Sequence, residues 1–305
     1  MTNKHTTLEV VLGGLMRRYQ ERVPAVNHVL SNMIQSGLVQ SESEIENDHI
    51  AFRTMGVEHL GIQSFEKIFR HYGYERRDAY QFATKKLDAF WYAPPEDRFP
   101  RIFISELRVD DLGKDSSQIL RSYTDEVTSD PVDAIDLNDG AAVDAFLHQG
   151  LWRTPTLDDY QKLSQESEYA AWVIYNRYYL NHFTVSVHNL PAPYNEISKF
   201  NEFLESIDVK LNDAGGKIKE SPDGLLLQSS SVAEMVNAEF QTTDGEKVQH
   251  EIAGSYVEFA ERRLLPEFAS LAANQIERHH RREGFEAGNA DKIFESTFRT
   301  QTGAE

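Results

Sequence analysis

Apolar residues recur at helical spacing over residues 7–36, with Leu8, Val11, Leu12, Leu15 and Met16 on one stripe, and Pro24 splits the stretch into two predicted helices. A polar, acidic run from Ser41 to Asp48 follows, and the period then changes. Residues 49–54 alternate as a short strand. Residues 64–72 carry Phe65, Ile68 and Phe69 at helical spacing up to Gly73, and residues 90–92 and 101–109 predict strands either side of the turn Ala93-Pro-Pro-Glu-Asp97. Residues 132–180 read as helical, Thr156 and Asp159 making a capping signal for a helix with Tyr160 and Leu163. A strand returns at 181–188, then a helix at 197–207, a glycine-rich turn at 214–216 and strand-like runs at 224–231, 238–242 and 251–259. Asp244-Gly245 predicts a hairpin turn between the last two. A final helix is expected over about 264–282, followed by an irregular tail.

The order strand, helix, strands therefore occurs twice. Each copy opens on a polar residue, a histidine and a short apolar strand: Asp48-His49-Ile-Ala-Phe52 and Asn181-His182-Phe-Thr-Val185. No strong identity supports the repeat, and chance similarity is the alternative. As a true repeat it predicts an α+β fold of paired βαβββ modules, their sheets curving around a shared cavity, with helices added in front and between. The expected layout is one domain over 1–305. It divides into a first module at about 45–110, a helical insertion at about 111–180, a second module at about 181–262, and a C-terminal helix and tail at 263–305.

Composition removes several kinds of chemistry. There is no cysteine among the 305 residues, which excludes disulfides, thiolate metal sites, iron–sulfur clusters and cysteine nucleophiles. No apolar run approaches the roughly 20 residues that span a membrane, and the opening MTNKHTTLEVV lacks the layout of a signal peptide, so a cytoplasmic chain is expected. With 49 acidic and 31 basic residues, the formal charge is −18. Such a surface repels nucleic acid and anionic lipid, and an anionic substrate would need a local cation.

Alternation along the strands sorts the polar candidates. His49, Ala51 and Arg53 share one face of their strand. His182, Thr184, Ser186 and His188 share a face of theirs, and Tyr256, Glu258 and Ala260 share a face near the end of the chain. Two imidazoles and a carboxylate are the facial set favoured by non-heme Fe(II) oxygenases, and they also serve hydrolytic Zn(II). The alternative is a pair of satisfied strand histidines and a solvated glutamate. Arg53 lies four strand residues from His49, a Cα separation of roughly 13 Å. A short dicarboxylate chelated at one end would fit between a metal and this guanidinium; a surface ion pair is the alternative. His188 reads as lining, His279-His280 as a solvated helix end, and Gln228-Ser-Ser-Ser231 as hydroxyl contacts or a wet strand.

Five segments in the same order resemble one family: residues 48–54, Glu168-Tyr-Ala-Ala-Trp-Val173, Asn181-His-Phe-Thr-Val185, Tyr256-Val-Glu-Phe259 and Gly284-Phe-Glu-Ala-Gly-Asn-Ala-Asp-Lys-Ile-Phe294. The family is the 2-oxoadipate dioxygenase/decarboxylase (2-hydroxyglutarate synthase) family of lysine breakdown, related to the vicinal oxygen chelate fold. The similarity runs from about residue 45 to 295. The resemblance implies Fe(II) bound by His49, His182 and Glu258, with Zn, Ni or another divalent ion able to take the site. It implies Arg53 on a substrate carboxylate, and conversion of 2-oxoadipate and O2 to 2-hydroxyglutarate and CO2. A Zn-dependent hydrolase with the same ligands and a non-catalytic metabolite-binding module are the rival expectations. Oligomeric state is not legible.

Overall fold

The computed structural model describes residues 3–303. Helices α1 (Asn3–Arg22) and α2 (Pro24–Gln35) precede β1 (Asn47–Gly56), and Pro24 starts α2, where a missing N–H leaves no helix bond unmade. The chain continues through α3 (Gly61–His71), β2 (Glu75–Phe82), β3 (Leu87–Ala93) and β4 (Arg101–Arg108). Then come α4 (Lys114–Thr124), α5 (Gly140–His148), α6 (Leu157–Glu166) and α7 (Glu168–Asn176). Next are β5 (His182–Ser186), α8 (Ile197–Ser206), β6 (Lys219–Glu220), β7 (Leu226–Ser230), β8 (Met235–Gln241), β9 (Lys247–Ala253) and β10 (Tyr256–Arg262). The chain closes with α9 (Ala287–Ile293) and α10 (Arg299–Thr302).

Eight strands form one sheet in the order β2-β3-β4-β1-β5-β10-β7-β6. The centre of that order is an internal two-fold. β1 runs parallel to β4, β5 runs parallel to β10, and β1 and β5 pair antiparallel between them. Outward from β4 and from β10 the remaining pairs are antiparallel. Each half is a βαβββ unit, with α3 and α8 as the helices. Phe52 of β1 packs on Phe65 and Phe69 of α3 at ring-centroid distances of 4.8 and 5.6 Å; Phe259 of β10 packs on Phe200 of α8 at 5.4 Å. The apolar face of each strand pair is thus spent on its helix, and alternation turns the polar face inward. One buried apolar cluster runs from Leu8 to Phe294.

Three expectations are corrected. The run at 238–242 is not a strand of the second unit. β8 and β9 pair as a separate hairpin across Asp244-Gly245, and the fourth strand is β10, parted from β9 at Gly254-Ser255. Ala238, Phe240 and Ile252 form their own small cluster with Tyr160 and Tyr175, so the hairpin packs on α6 and α7. No α-helix occupies 264–282: short 3-10 turns stand there, none with a buried residue. Leu264 bridges Arg281, and Leu265 N–H donates to the His280 carbonyl at 2.9 Å. A helix of that length would hold its ends about 27 Å apart. The tail is ordered, α9 lying against the sheet interior.

Candidate metal centre

His49 and His182 occupy matching positions on the two central strands. The residue ahead of each orients its ring. Asp48 Oδ1 accepts from His49 Nδ1 at 2.8 Å, and Asn181 Oδ1 accepts from His182 Nδ1 at 3.1 Å. With Nδ1 carrying the proton, each Nε2 presents its lone pair to the other, 3.4 Å apart. Glu258 reaches the same point from β10, with Oε1 at 3.4 Å from His49 Nε2 and Oε2 at 3.1 Å from His182 Nε2. One donor atom of each lies within 4.8 Å of the others, and all three residues are buried. Two oriented imidazoles and one carboxylate suit a single divalent ion, and among the described residues no other such His, Asp or Glu cluster occurs.

Support continues outward. Gln228 of β7 donates to Glu258 Oε1 at 2.6 Å, and Asn289 of α9 donates to Gln228 Oε1 at 3.0 Å. Asp48 is gripped by Arg262 through Nε at 2.7 Å and Nη2 at 2.9 Å, and by Arg101 Nη1 at 3.3 Å. Burial would raise the Asp48 carboxyl, but Arg262 and Arg101 hold it well below the usual range. Burial likewise opposes ionisation of Glu258, yet the two histidines and Gln228 keep it below its ordinary value. Burial drives His182 down to about 3, against the pull of Glu258. His49 moves up, since Glu258 and Asp48 outweigh its burial.

Arg53 stands 1% exposed on the same face of β1. Its Nη1 donates to Thr297 Oγ1 at 3.0 Å and its Nη2 to the Phe294 carbonyl at 3.1 Å. Tyr169, Trp172 and Phe294 surround the guanidinium at 5.1, 5.1 and 5.6 Å. Burial lowers its pKa from the ordinary value, Tyr256 and Tyr169 opposing. The buried Arg53 Nε and Tyr256 hydroxyl complete no hydrogen bond of normal geometry; burial pushes the Tyr256 phenol up, with the Arg53 guanidinium opposing. The triad and Arg53 border one cavity, with about 360 Å³ of unfilled space including its mouth, walled by Phe103, Phe285, Ile293 and Phe294.

The four site residues expected from sequence thus meet in one cavity. His188 is not there. β5 ends at Ser186, a 3-10 turn carries residues 187–189 away, and His188 Nδ1 accepts from the Arg262 N–H at 3.2 Å. Gln228 reads from sequence only as part of a run that contacts a ligand or faces water, and Asn289, Phe285, Phe294 and Thr297 carry no signal of their own there. Gly284–Phe294 stands out as a motif, but residues that act through walls and main-chain carbonyls have no spacing signature.

Paired βαβββ units converging two histidines and a glutamate define a vicinal oxygen chelate-like fold with a candidate mononuclear centre. A glyoxalase superfamily protein from Ralstonia eutropha JMP134 shares the fold with a TM-score of 0.71 at 21% identity, over 90% of this chain and 84% of that one. The pattern of the 2-oxoadipate dioxygenase/decarboxylase family matches residues 11–273. A chloroplastic 2-oxoadipate dioxygenase/decarboxylase from Arabidopsis thaliana is 41% identical over 304 residues, 95% of this chain and 77% of that protein. The crystal structure of hydroxyglutarate synthase from Oryza sativa, in complex with 2-oxoadipate, superposes with a TM-score of 0.89 at 39% identity, covering 99% of this chain and 96% of that one. The chain belongs to the 2-oxoadipate dioxygenase/decarboxylase family and is an enzyme of the oxidoreductase kind. Among the described residues no helix is long and apolar enough to cross a membrane.

Proposed function

We propose that the chain converts 2-oxoadipate and O2 to 2-hydroxyglutarate and CO2, with His49, His182 and Glu258 holding Fe(II) and Arg53 holding the distal carboxylate. The observation that carries this reading is the enclosure of the triad and one buried guanidinium in a single apolar-walled cavity. The donor set fits the ion: two imidazoles oriented through Nδ1 and one buried carboxylate. Bound there, Fe(II) supplies chelation of a 2-oxo acid and activation of O2. The atoms balance. The carboxylate beside the keto group leaves as CO2, one atom of O2 turns the keto carbon into the new carboxylate, and the other becomes the product hydroxyl.

The protein's own part is positional. Arg53 uses two of its five N–H donors on Thr297 and Phe294, leaving donors for a carboxylate fork. Its anchors fix the fork's direction, and the distance along β1 selects chain length. The aromatic wall excludes water, which strengthens the Arg53–carboxylate attraction. Gln228 and Asn289 keep Glu258 aimed at the ion.

The deciding experiment combines metal analysis with gas exchange. Fe(II)-loaded enzyme is expected to consume one O2 and release one CO2 per 2-oxoadipate, and turnover in the absence of O2, as a hydrolase would show, overturns the reading. Arg53→Lys is expected to lower kcat/KM about 10–100-fold through loss of the fork, with metal content unchanged. The cytoplasmic setting is part of the proposal; the Arabidopsis relative is named as chloroplastic, and cell fractionation decides.

A further inference from the structure

The two-fold that relates the halves of the sheet assigns a counterpart to every residue at the centre. His49 corresponds to His182 and Asp48 to Asn181, each pair making the same contact. Ala51 pairs with Phe103 across β1 and β4, and its counterpart Thr184 pairs with Glu258 across β5 and β10. The relation also holds across the central pair: Ala51 stands opposite His182, and the Thr184 hydroxyl lies 3.1 Å from His49 Nε2. Phe103 is therefore the first half's equivalent of Glu258. Its side chain is 5% exposed and borders the same cavity as the triad, with its ring 5.0 Å from Phe285, whose own ring lies 4.7 Å from His49.

We propose that Phe103 is a specificity-determining residue that keeps a fourth protein position at the metal centre vacant. The proposal rests on the reading of His49, His182 and Glu258 as the ligands. A symmetric pair of units would offer two histidines and two carboxylates. Three protein ligands leave three positions on a six-coordinate ion, enough for a two-point chelate and O2; four would leave two. Phe103 thus trades metal affinity for room to bind both substrates, and walls that room with an apolar ring.

The position can be filled, and filling it gives a readout that needs no turnover. Co(II) serves as the probe, its affinity measured by chelator competition and its ligand field by visible absorption. Phe103→Glu is expected to bind Co(II) at least about tenfold more tightly than the parent and to lose the spectral change caused by 2-oxoadipate. Glu258→Ala is expected to bind Co(II) weakly, and F103E/E258A to recover much of the affinity by supplying the carboxylate from the other half. F103L/E258A is expected to stay weak. A folded F103E/E258A chain that binds Co(II) no better than Glu258→Ala overturns the proposal; should Glu at 103 prevent folding, F103H/E258A carries the same comparison. Retention of Co(II) by His49→Ala would defeat the ligand reading itself. Its loss there, without rescue in the double variants, defeats only the role of Phe103.

Discussion

Asp48 and Asn181 differ by one atom type and do the same job on opposite sides of the centre. Each accepts from the Nδ1 of the following histidine, but only Asp48 carries charge, and only Asp48 is clamped by Arg262 and Arg101. Glu258 and the Asp48 carboxylate hold His49 above its ordinary value against burial; His182, beside a neutral amide, is driven down to about 3 by burial. The centre therefore has one imidazole held by a carboxylate and one held by a neutral amide. Asp48→Asn keeps the shape and removes the charge. It is expected to weaken divalent-ion affinity about 10–100-fold, and to cost about 3–5 kcal/mol of stability because the buried Arg262 guanidinium loses its carboxylate, while Arg101 keeps Glu283. Chelator competition and urea unfolding measure the two effects separately. Full metal affinity in a destabilised variant would reduce Asp48 to a structural anchor.

At the scale of elements, the segment from Gly284 to Thr297 makes a shared groove into an enclosed site. Phe285 lies edge-on to His49, Asn289 steadies Gln228, and Phe294 and Thr297 hold Arg53. The segment turns into place at Gly284, where φ is 72° and an added Cβ would sit 3.4 Å from Trp91 Nε1 and Arg282 Nη1. Gly284→Ala is expected to lower stability by about 1–2 kcal/mol, read as a lower Tm, and to raise KM by loosening the wall. An unchanged Tm would show that the turn carries no strain. The sequence makes β1 and β5 legible because a histidine-led apolar alternation is local, and α2 because Pro24 marks its start. β2 is not legible: Glu75-Arg-Arg-Asp sits on an exposed sheet edge, so no apolar period marks it. β6 has two residues and exists only through its pairing with β7. The false helix at 264–282 has the converse cause. Its residues favour helix locally, but Arg281 Nη1 on the Arg262 carbonyl at 2.7 Å and the Leu264–Arg281 bridge fold the segment back on itself. The site residues are legible through strand faces plus resemblance; their anchors, being long-range, are not.

Among the described residues burial lowers His182, His188, His148 and His71, and the first two, lowered furthest, lead the chain's response to acid. Burial holds His182 and His188 each at about 3, while in an unfolded chain each titrates near 6.5. Between pH 6.5 and 3 the unfolded chain therefore binds two protons that the folded, metal-free chain does not. Stability falls as pH falls through that window, by up to about 1.4 kcal/mol per pH unit for each histidine. His49 acts with the opposite sign and in a different window. Raised above 6.5, it takes its proton in the folded chain first, adds stability as pH falls toward 6.5, and contributes nothing further below. Asp48 and Glu258, both lowered, add their losses only as the pH drops below the unfolded carboxylate range. Urea midpoints of the metal-free chain are thus expected to decline from pH 6.5 to 5, with the raised carboxyls of Glu106 and Glu168 partly offsetting the histidines. His188→Gln is expected to reduce that slope, since it removes one of the two histidines lowered furthest while leaving the metal centre intact. A midpoint flat over this range would mean that His182 and His188 accept protons in the folded chain, and that both the cavity around His182 and the surroundings of His188 are wetter than their burial implies.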